Sequence, residues 1–339
     1  MENKNFRTYE EITQCAYRYL GESELDYFIR LHENKKKYAL LSRDIAVLLN
    51  KEFGVEYDES TWRKRYADFN RGRIYERELG ENSVSKRILV ISDLHIPFNI
   101  PAKEFSGYAD SVDVLVLNGD IMDCQSISKF NKKYRVNFVE EMIAARQYII
   151  DLAEIIKPGR IVVTMGNHEN RMIRYLSEKV NDDILQLMPD SPMDLIVNYG
   201  FRNNDRKTKS EVFYVPLREA LNIEIEYNGN WYYREGNVIF AHPLSYSSPM
   251  MKTTEKAVNF FLRQADMRDF TSVVLAHTHK VGFYMSGDIR MYEQGCCCRI
   301  EDMDYADGKL QSPQQKGYMY ICLDKSGNII EEKTKQITI

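Results

Sequence analysis

The sequence predicts a small all-α domain followed by a larger α/β layered domain, and three observations carry that division. Before about residue 79, apolar residues recur at the three-and-four spacing of a helix face. From residue 87 onward, short β-rich apolar runs alternate with longer helical stretches, the pattern of sheets covered by helices. Between them, residues 79–86 (Leu-Gly-Glu-Asn-Ser-Val-Ser-Lys) are polar, without hydrophobic period, and read as a linker. The expected domains are therefore 1–78 and 87–339. A length of 339 residues suits that count.

In the first domain, Leu41, Ile45, Leu48 and Leu49 form one face of a helix expected to end near Gly54. After a short break, Asp58 and Ser60 are candidate N-caps for a second helix with Trp62, Tyr66 and Phe69 on its core face. Two helices joined by a short turn suggest a helix-turn-helix. In the second domain, residues 87–91, 112–117 and 160–164 read as buried strands, with a helix over 138–156 between the second and third. Further strands are expected near 222–227, 231–241, 271–276, 280–285 and 288–294, a helix at 252–266, and a closing hairpin at 317–335. Residues 186–215 read as an irregular insertion.

Composition narrows the function classes. Hydrophobic residues make up 44% and charged residues 28%, ordinary for a globular chain. The net charge of −4 excludes a globally basic nucleic-acid binder, so any such contact rests on a local patch. No apolar run approaches the ~20 residues needed to cross a bilayer, and the polar start lacks a secretory signal. The expected setting is cytoplasmic and reducing, without a membrane partner and with unpaired cysteines.

The chemistry gathers at strand ends, where α/β sheets build their sites. The first strand runs into Asp93-Leu94-His95, the second into Gly119-Asp120-Ile121-Met122-Asp123, and the third into Gly166-Asn167-His168-Glu169. Later strands lead into His242 and into His277-Thr278-His279. Asp, His and an Asn carbonyl together suit Mn²⁺, Fe²⁺ or Zn²⁺. Each cluster alone is weak evidence; five in order, each after an apolar strand, are not a coincidence.

These blocks resemble the signature of the calcineurin-like metallophosphoesterases: Asp-x-His, Gly-Asp-x-x-Asp, Gly-Asn-His-Glu, a separate His, and Gly-His-x-His. Ala276 replaces Gly in the last block and removes no ligand. The resemblance covers residues 87–335 and implies a layered β-sandwich core flanked by helices. It also implies two divalent metal ions, Mn²⁺ foremost, with Fe²⁺ or Zn²⁺ also suitable. Asp93, His95 and His279 would hold one ion, Asn167, His242 and His277 the other, and Asp120 would bridge them. A water activated between the ions would hydrolyse the phosphoester. His168 is then the expected catalytic residue beside the leaving oxygen, and Asp123 the carboxylate that orients it. Arg171 either grips a substrate phosphate or pairs with a carboxylate such as Glu169.

For the substrate, Cys124-Gln125 stand where phosphoprotein phosphatases of this family carry Arg-Gly, which argues against that branch. With Trp62, Tyr66 and Phe69 facing inward, Lys64 and Arg71 project to the opposite side, flanked by Arg63, Arg65 and Arg73, the layout of a recognition helix. Against this, residues 1–87 hold 17 Lys+Arg and 16 Asp+Glu, so a solvated face is an open alternative. The pairing of modules looks like phage or prophage metallophosphoesterases. The expectation is a metal-dependent phosphodiesterase or nuclease acting on DNA or RNA. A phosphoesterase on nucleotides or other small esters and a DNA-binding regulator with a vestigial phosphoesterase domain are the alternatives. A homodimer is expected because related nucleases often pair. Cys296-Cys297-Cys298 read as packing residues, with redox or metal function the alternative, His32 as solvated, and Tyr232-Tyr233 as strand packing, with base stacking the alternative.

Overall fold

The computed structural model describes residues 8–129, 135–205, 209–302 and 314–339. The chain forms two compact units, Met1–Asn82 and Ser83–Ile339.

The first unit is all helical: α1 (Tyr9–Ala16), α2 (Glu24–Glu33), α3 (Ser42–Phe53) and α4 (Glu59–Ser83). Local chemistry sets their ends. Thr8 and Glu11 close a reciprocal capping box on α1, and the Ser23 hydroxyl accepts from the Asp26 N–H on α2. Gly54 takes the left-handed conformation that ends α3, and Asp58 Oδ1 accepts from Thr61 N at 2.7 Å at the start of α4. Ile12, Tyr27, Phe28, Leu31, Ile45, Leu48, Leu49 and Trp62 make the core, with Tyr66 and Phe69 packed against it. Three expectations need correction. Residues 79–83 are helical: α4 runs through them because a polar stretch without proline does not break a helix. Leu41 precedes α3 and is exposed, its N–H held by Asp44. His32 is half-buried, its ring stacked 4.4 Å from that of Tyr66, and burial lowers its pKa.

The second unit contains two facing sheets. One has the order β13-β12-β1-β2-β3-β6, from β1 (Lys86–Ile91), β2 (Val114–Asn118), β3 (Arg160–Thr164), β6 (Glu224–Tyr227), β12 (Gly317–Leu323) and β13 (Lys335–Thr338). The other has the order β10-β11-β9-β8-β7, from β7 (Tyr232–Glu235), β8 (Val238–Ala241), β9 (Ser272–Leu275), β10 (Val281–Ser286) and β11 (Ile289–Gln294). Within them, β1, β2, β3 and β6 run parallel, as do β8, β9 and β11. Helix α5 (Phe138–Ile156) packs on the first sheet, α6 (Arg171–Ser177) follows β3, and short turns form α7 (Asp182–Leu185), α8 (Pro192–Asp194) and α9 (Leu217–Ala220). Helix α10 (Lys252–Arg263) packs on the second sheet. The stretch expected to be irregular, 186–215, contains a hairpin of β4 (Phe201–Asp205) and β5 (Ser210–Tyr214). Its strands are short and mostly exposed, so no buried apolar run marks them.

Period two explains the layers. Ile88 and Val90 of β1 meet Val238, Phe240 and Val274 between the sheets, whereas Leu89 and Ile91 meet Ala145, Ile149 and Leu152 of α5. Ile239, Ala241, Val273 and Leu275 face Ala257, Val258 and Phe261 of α10. The result is a helix–sheet–sheet–helix sandwich, and each fully buried aliphatic side chain in it contributes about 1.5–3 kcal/mol. Strands buried on both faces leave polar residues only at their ends, which is where the loops converge. Among the described residues, no helix is long and apolar enough to cross a membrane.

Candidate metal centre

The loops after β1, β2, β3, β8 and β9 meet at one edge of the sandwich. They are laced together by backbone hydrogen bonds, Asp93 N to Gly119 O (3.1 Å) and His95 N to Asp120 O (3.0 Å). Asp93, His95, Asp120, His277 and His279 all have positive φ, between +46° and +77°. A non-glycine residue held there is strained, and such strain gathers at functional sites. Two glycines allow the approach. A Cβ on Gly119 would lie 2.6 Å from the His242 ring, and one on Gly166 would overlap Asp120.

The side chains form neighbouring groups, and a third, of His95, Asp120 and His168, lies between the two described next. Asp93, His95 and His279 bring ligand atoms within 4.8 Å of one another, as do Asp120, His242 and His277. His279 Nε2 lies 3.1 Å from both Asp93 Oδ1 and His95 Nε2. His242 Nε2 lies 3.3 Å from Asp120 Oδ2 and 3.1 Å from Asn167 Oδ1. The far nitrogens are held by oxygen acceptors: His242 Nδ1 is 2.8 Å from Asn118 O and His279 Nδ1 is 3.0 Å from Gln314 Oε1. That leaves Nε2 as the nitrogen turned inward on each ring. His277 Nε2 is buried with no hydrogen-bond partner among the described residues, and Asp93 Oδ1 receives no well-directed bond. Buried acceptors without donors fit a divalent cation, and the donor set of carboxylate, imidazole and amide oxygen is the one such ions take.

The electrostatics are strongly skewed. Burial opposes charge on Asp93 and Asp120, yet the surrounding imidazoles hold both carboxyls below their usual range. Burial would lower His242, but Asp120 and Asp93 raise it to about 9. Burial and the nearby His242 push His277 down to about 3.

His168 lies beside this cluster. Its Nδ1 is 3.0 Å from both the carbonyl and the Oδ1 of Asp123, and its backbone N–H donates to Asp120 Oδ1 at 2.9 Å. Arg171 donates to His168 Nε2 (2.7 Å) and to the Asp123 carbonyl (2.6 Å). Of the two roles open to Arg171, the guanidinium is therefore placed on the histidine and a backbone carbonyl, not on Glu169. Arg63, Lys64, Arg65 and Arg71 are exposed on α4 of the first unit. Arg71 pairs with Asp68, Arg73 with Glu33, and Arg65 sits over the Tyr57 ring.

Three features escape the sequence reading. Glu169 is fully buried and accepts from three backbone N–H groups, Asp120 (3.0 Å), Met122 (2.9 Å) and Gly166 (2.9 Å). It ties the β2 loop to the β3 loop. Burial and the nearby Asp120 raise its pKa to about 7. Glu169→Gln turns one accepting oxygen into a donor facing an N–H, so we expect it to cost about 1–3 kcal/mol of unfolding free energy in a urea titration. Gln294 and Ser92 form a second brace: Gln294 Nε2 donates to Ser92 Oγ (2.7 Å), which donates to Asp93 Oδ2 (2.6 Å). The third feature is the approach of Cys296 and Cys298 to His279. The Glu after His in the third block and the run of three cysteines were the sequence signals for these.

Comparison with known proteins places these features in context. The sequence profile described as calcineurin-like phosphoesterase matches residues 86–281, and that of the YonJ N-terminal domain matches residues 4–80. The Gene 54 protein of Mycobacterium phage L5 is 33% identical over 104 residues, 28% of this chain and 40% of that protein, so the match spans less than half of the phage protein. Among solved structures, vacuolar protein sorting 29 of Cryptosporidium parvum aligns at 13% identity over 76% of this chain and 98% of its own, with a TM-score of 0.36. A novel archaeal phosphodiesterase aligns at 14% identity over 75% of this chain and 99% of its own, with a TM-score of 0.29.

Proposed function

The chain belongs to the calcineurin-like phosphoesterase family, and from that premise we propose that it is a two-metal phosphodiesterase acting on nucleic acid. Membership makes it a phosphoester hydrolase that uses divalent metal. Asp93, His95 and His279 would hold one ion, Asn167, His242 and His277 the other, with Asp120 between them. Bound there, the ions would lower the pKa of a water and neutralise charge on the phosphoryl oxygens.

The observation that carries the substrate class is a cavity of about 390 Å³ beside His168. It is lined by Lys129, Arg135, Arg171, Arg174 and Lys179, with the exposed ring of Tyr175 at its wall. Against these five cations the lining, among the described residues, has one carboxylate, Glu178, which pairs with Lys129 at 2.7 Å. A single phosphate monoester does not need so many cations. A strand with several phosphates does, and an aromatic ring beside them offers a stacking face for a base. Arg171 belongs both to this lining and to the His168 contact, so one guanidinium links the cavity to the histidine.

Arg171 also links binding to proton transfer. With Nδ1–H donated to Asp123, His168 Nε2 accepts from the guanidinium. A phosphate entering the cavity competes for that guanidinium and frees Nε2 to take a proton from solvent and pass it to the departing oxygen. The exposed basic residues of α4, Arg63, Lys64, Arg65 and Arg71, are proposed as a second nucleic-acid contact, and self-association as a homodimer is proposed alongside.

The test compares substrates. Mn²⁺-loaded protein is offered a labelled oligonucleotide, a bis-aryl phosphodiester and an aryl phosphate monoester. Cleavage of the oligonucleotide and the diester is the expected result. Arg174→Glu with Lys179→Glu should raise KM for the oligonucleotide about tenfold or more and flatten its salt dependence by about two charges. If only the monoester turns over and the oligonucleotide is neither bound nor cut, the chain is a small-ester phosphatase. Retention of DNA with no hydrolysis under any metal would make it a regulator.

A further inference from the structure

The three consecutive cysteines, expected to be packing residues, divide by face. Gly295, at φ +85°, turns the chain out of β11, and a Cβ there would meet Gly317 N at 2.8 Å. The next residues run extended between two neighbours: Cys296 N donates to Gln315 O and Cys297 N to Ser92 O, each at 3.0 Å, while Ile100 N donates to Cys297 O at 3.0 Å. An extended chain sends alternate side chains to opposite sides. Cys297 therefore enters the core under α5, and Cys296 and Cys298 share the other side with Phe98 and Ile300. On that side the two Sγ atoms and a ring nitrogen of His279 all lie within 4.8 Å of one another, and all three residues are buried.

His279 is thus common to two groups, one with the two thiols and one with Asp93 and His95. We propose that Cys296 and Cys298 supply thiolate ligands to the ion held through His279, making that position a mixed nitrogen, oxygen and sulfur site that selects Zn²⁺ or Fe²⁺ over Mn²⁺. The proposal rests on the reading of His279 as a metal ligand. Its chemical ground is that thiolates favour softer ions, whereas a purely carboxylate and imidazole site accepts Mn²⁺ as well. Adjacent cysteines cannot share one ion easily, but cysteines two apart on an extended chain can, and the intervening Cys297 is the one committed to the core.

The experiment is cobalt substitution of the full-length metal-free protein, read by absorption. Visible d–d bands report an ion in the site, and a near-ultraviolet thiolate-to-cobalt charge-transfer band reports sulfur ligation. We expect both, and we expect the C296S/C298S variant to keep the d–d bands while losing the charge-transfer band. In that variant the affinity for Zn²⁺ relative to Mn²⁺ should fall about tenfold or more. Visible bands without charge transfer in the unsubstituted protein would overturn the proposal and leave the metal centre standing. Charge transfer that persists in the variant overturns it too, and absence of any cobalt spectrum overturns both readings. Zinc-edge X-ray absorption of the unsubstituted protein gives an answer independent of variant folding. A sulfur shell at about 2.3 Å is expected, and a shell of nitrogen and oxygen alone contradicts the proposal.

Discussion

Asp120→Ala should reduce hydrolysis of a bis-aryl phosphodiester by about 10³-fold or more and release metal from the protein. Its carboxylate faces three of the site's imidazoles and anchors one backbone N–H. Its Oδ2 faces His242 Nε2 at 3.3 Å, His168 Nε2 at 3.7 Å and His95 Nε2 at 3.8 Å, while Oδ1 accepts the His168 N–H. Removing the carboxylate takes away the negative charge that faces His242, His168 and His95 and the acceptor that fixes the His168 backbone. It also leaves His242, held near pKa 9 by Asp120 and Asp93, with only one of those carboxylates. The metal-to-protein ratio by elemental analysis and the diester rate are measured on the same preparation. Full metal content with more than a tenth of the activity would remove Asp120 from the shared position. Asp120→Asn, which keeps the shape and the Oδ1 acceptor but not the charge, should lose metal while retaining the fold.

Much of this candidate centre was legible because its residues follow buried strands. A strand such as Val114–Asn118, apolar on both faces, cannot place a charged side chain until it ends, so Asp120 announces itself by position. The same logic applies to His242 after Val238–Ala241 and to His277 after Ser272–Leu275. The supports were not legible. Gln294 reaches Ser92 across the interior from the other sheet, and nothing in either local sequence shows that meeting. Cys296 and Cys298 were read as packing residues because three cysteines in a row hide an alternation that only the extended backbone reveals. The positive φ at Asp93, His95 and Asp120 was equally hidden, since sequence signals left-handed backbone through glycine and asparagine. In the first unit, Tyr27, Phe28 and Leu31 of α2 carried a helical spacing that the short, charged segment around them obscured. Polar Leu79–Ser83 was taken for a linker because composition was weighed above the absence of a helix breaker.

His168→Ala should leave the metal content intact and cost about 10²–10⁴-fold in kcat, unequally across substrates. The argument lies in the leaving group. An aryloxide departs without a proton, whereas the sugar oxygen of a nucleic acid is a far stronger base and needs one as the bond breaks. If His168 Nε2 supplies that proton, the variant loses far more on an oligonucleotide than on the bis-aryl diester. The surrounding geometry supports a movable proton: Nδ1 is anchored 3.0 Å from Asp123 Oδ1, and Nε2 faces Arg171, which a phosphate can draw away. Asp123→Asn should show the same substrate pattern with a smaller loss, because it weakens the anchor without removing the ring. Arg171→Ala separates the two roles of the guanidinium. It should raise KM for the oligonucleotide, and it also removes the donor held 2.7 Å from His168 Nε2, so kcat on the oligonucleotide should change more than kcat on the bis-aryl diester. Equal losses on both substrates would place His168 in charge stabilisation instead, and loss of metal would make it a ligand. An unequal loss with metal retained leaves proton donation as the role that fits.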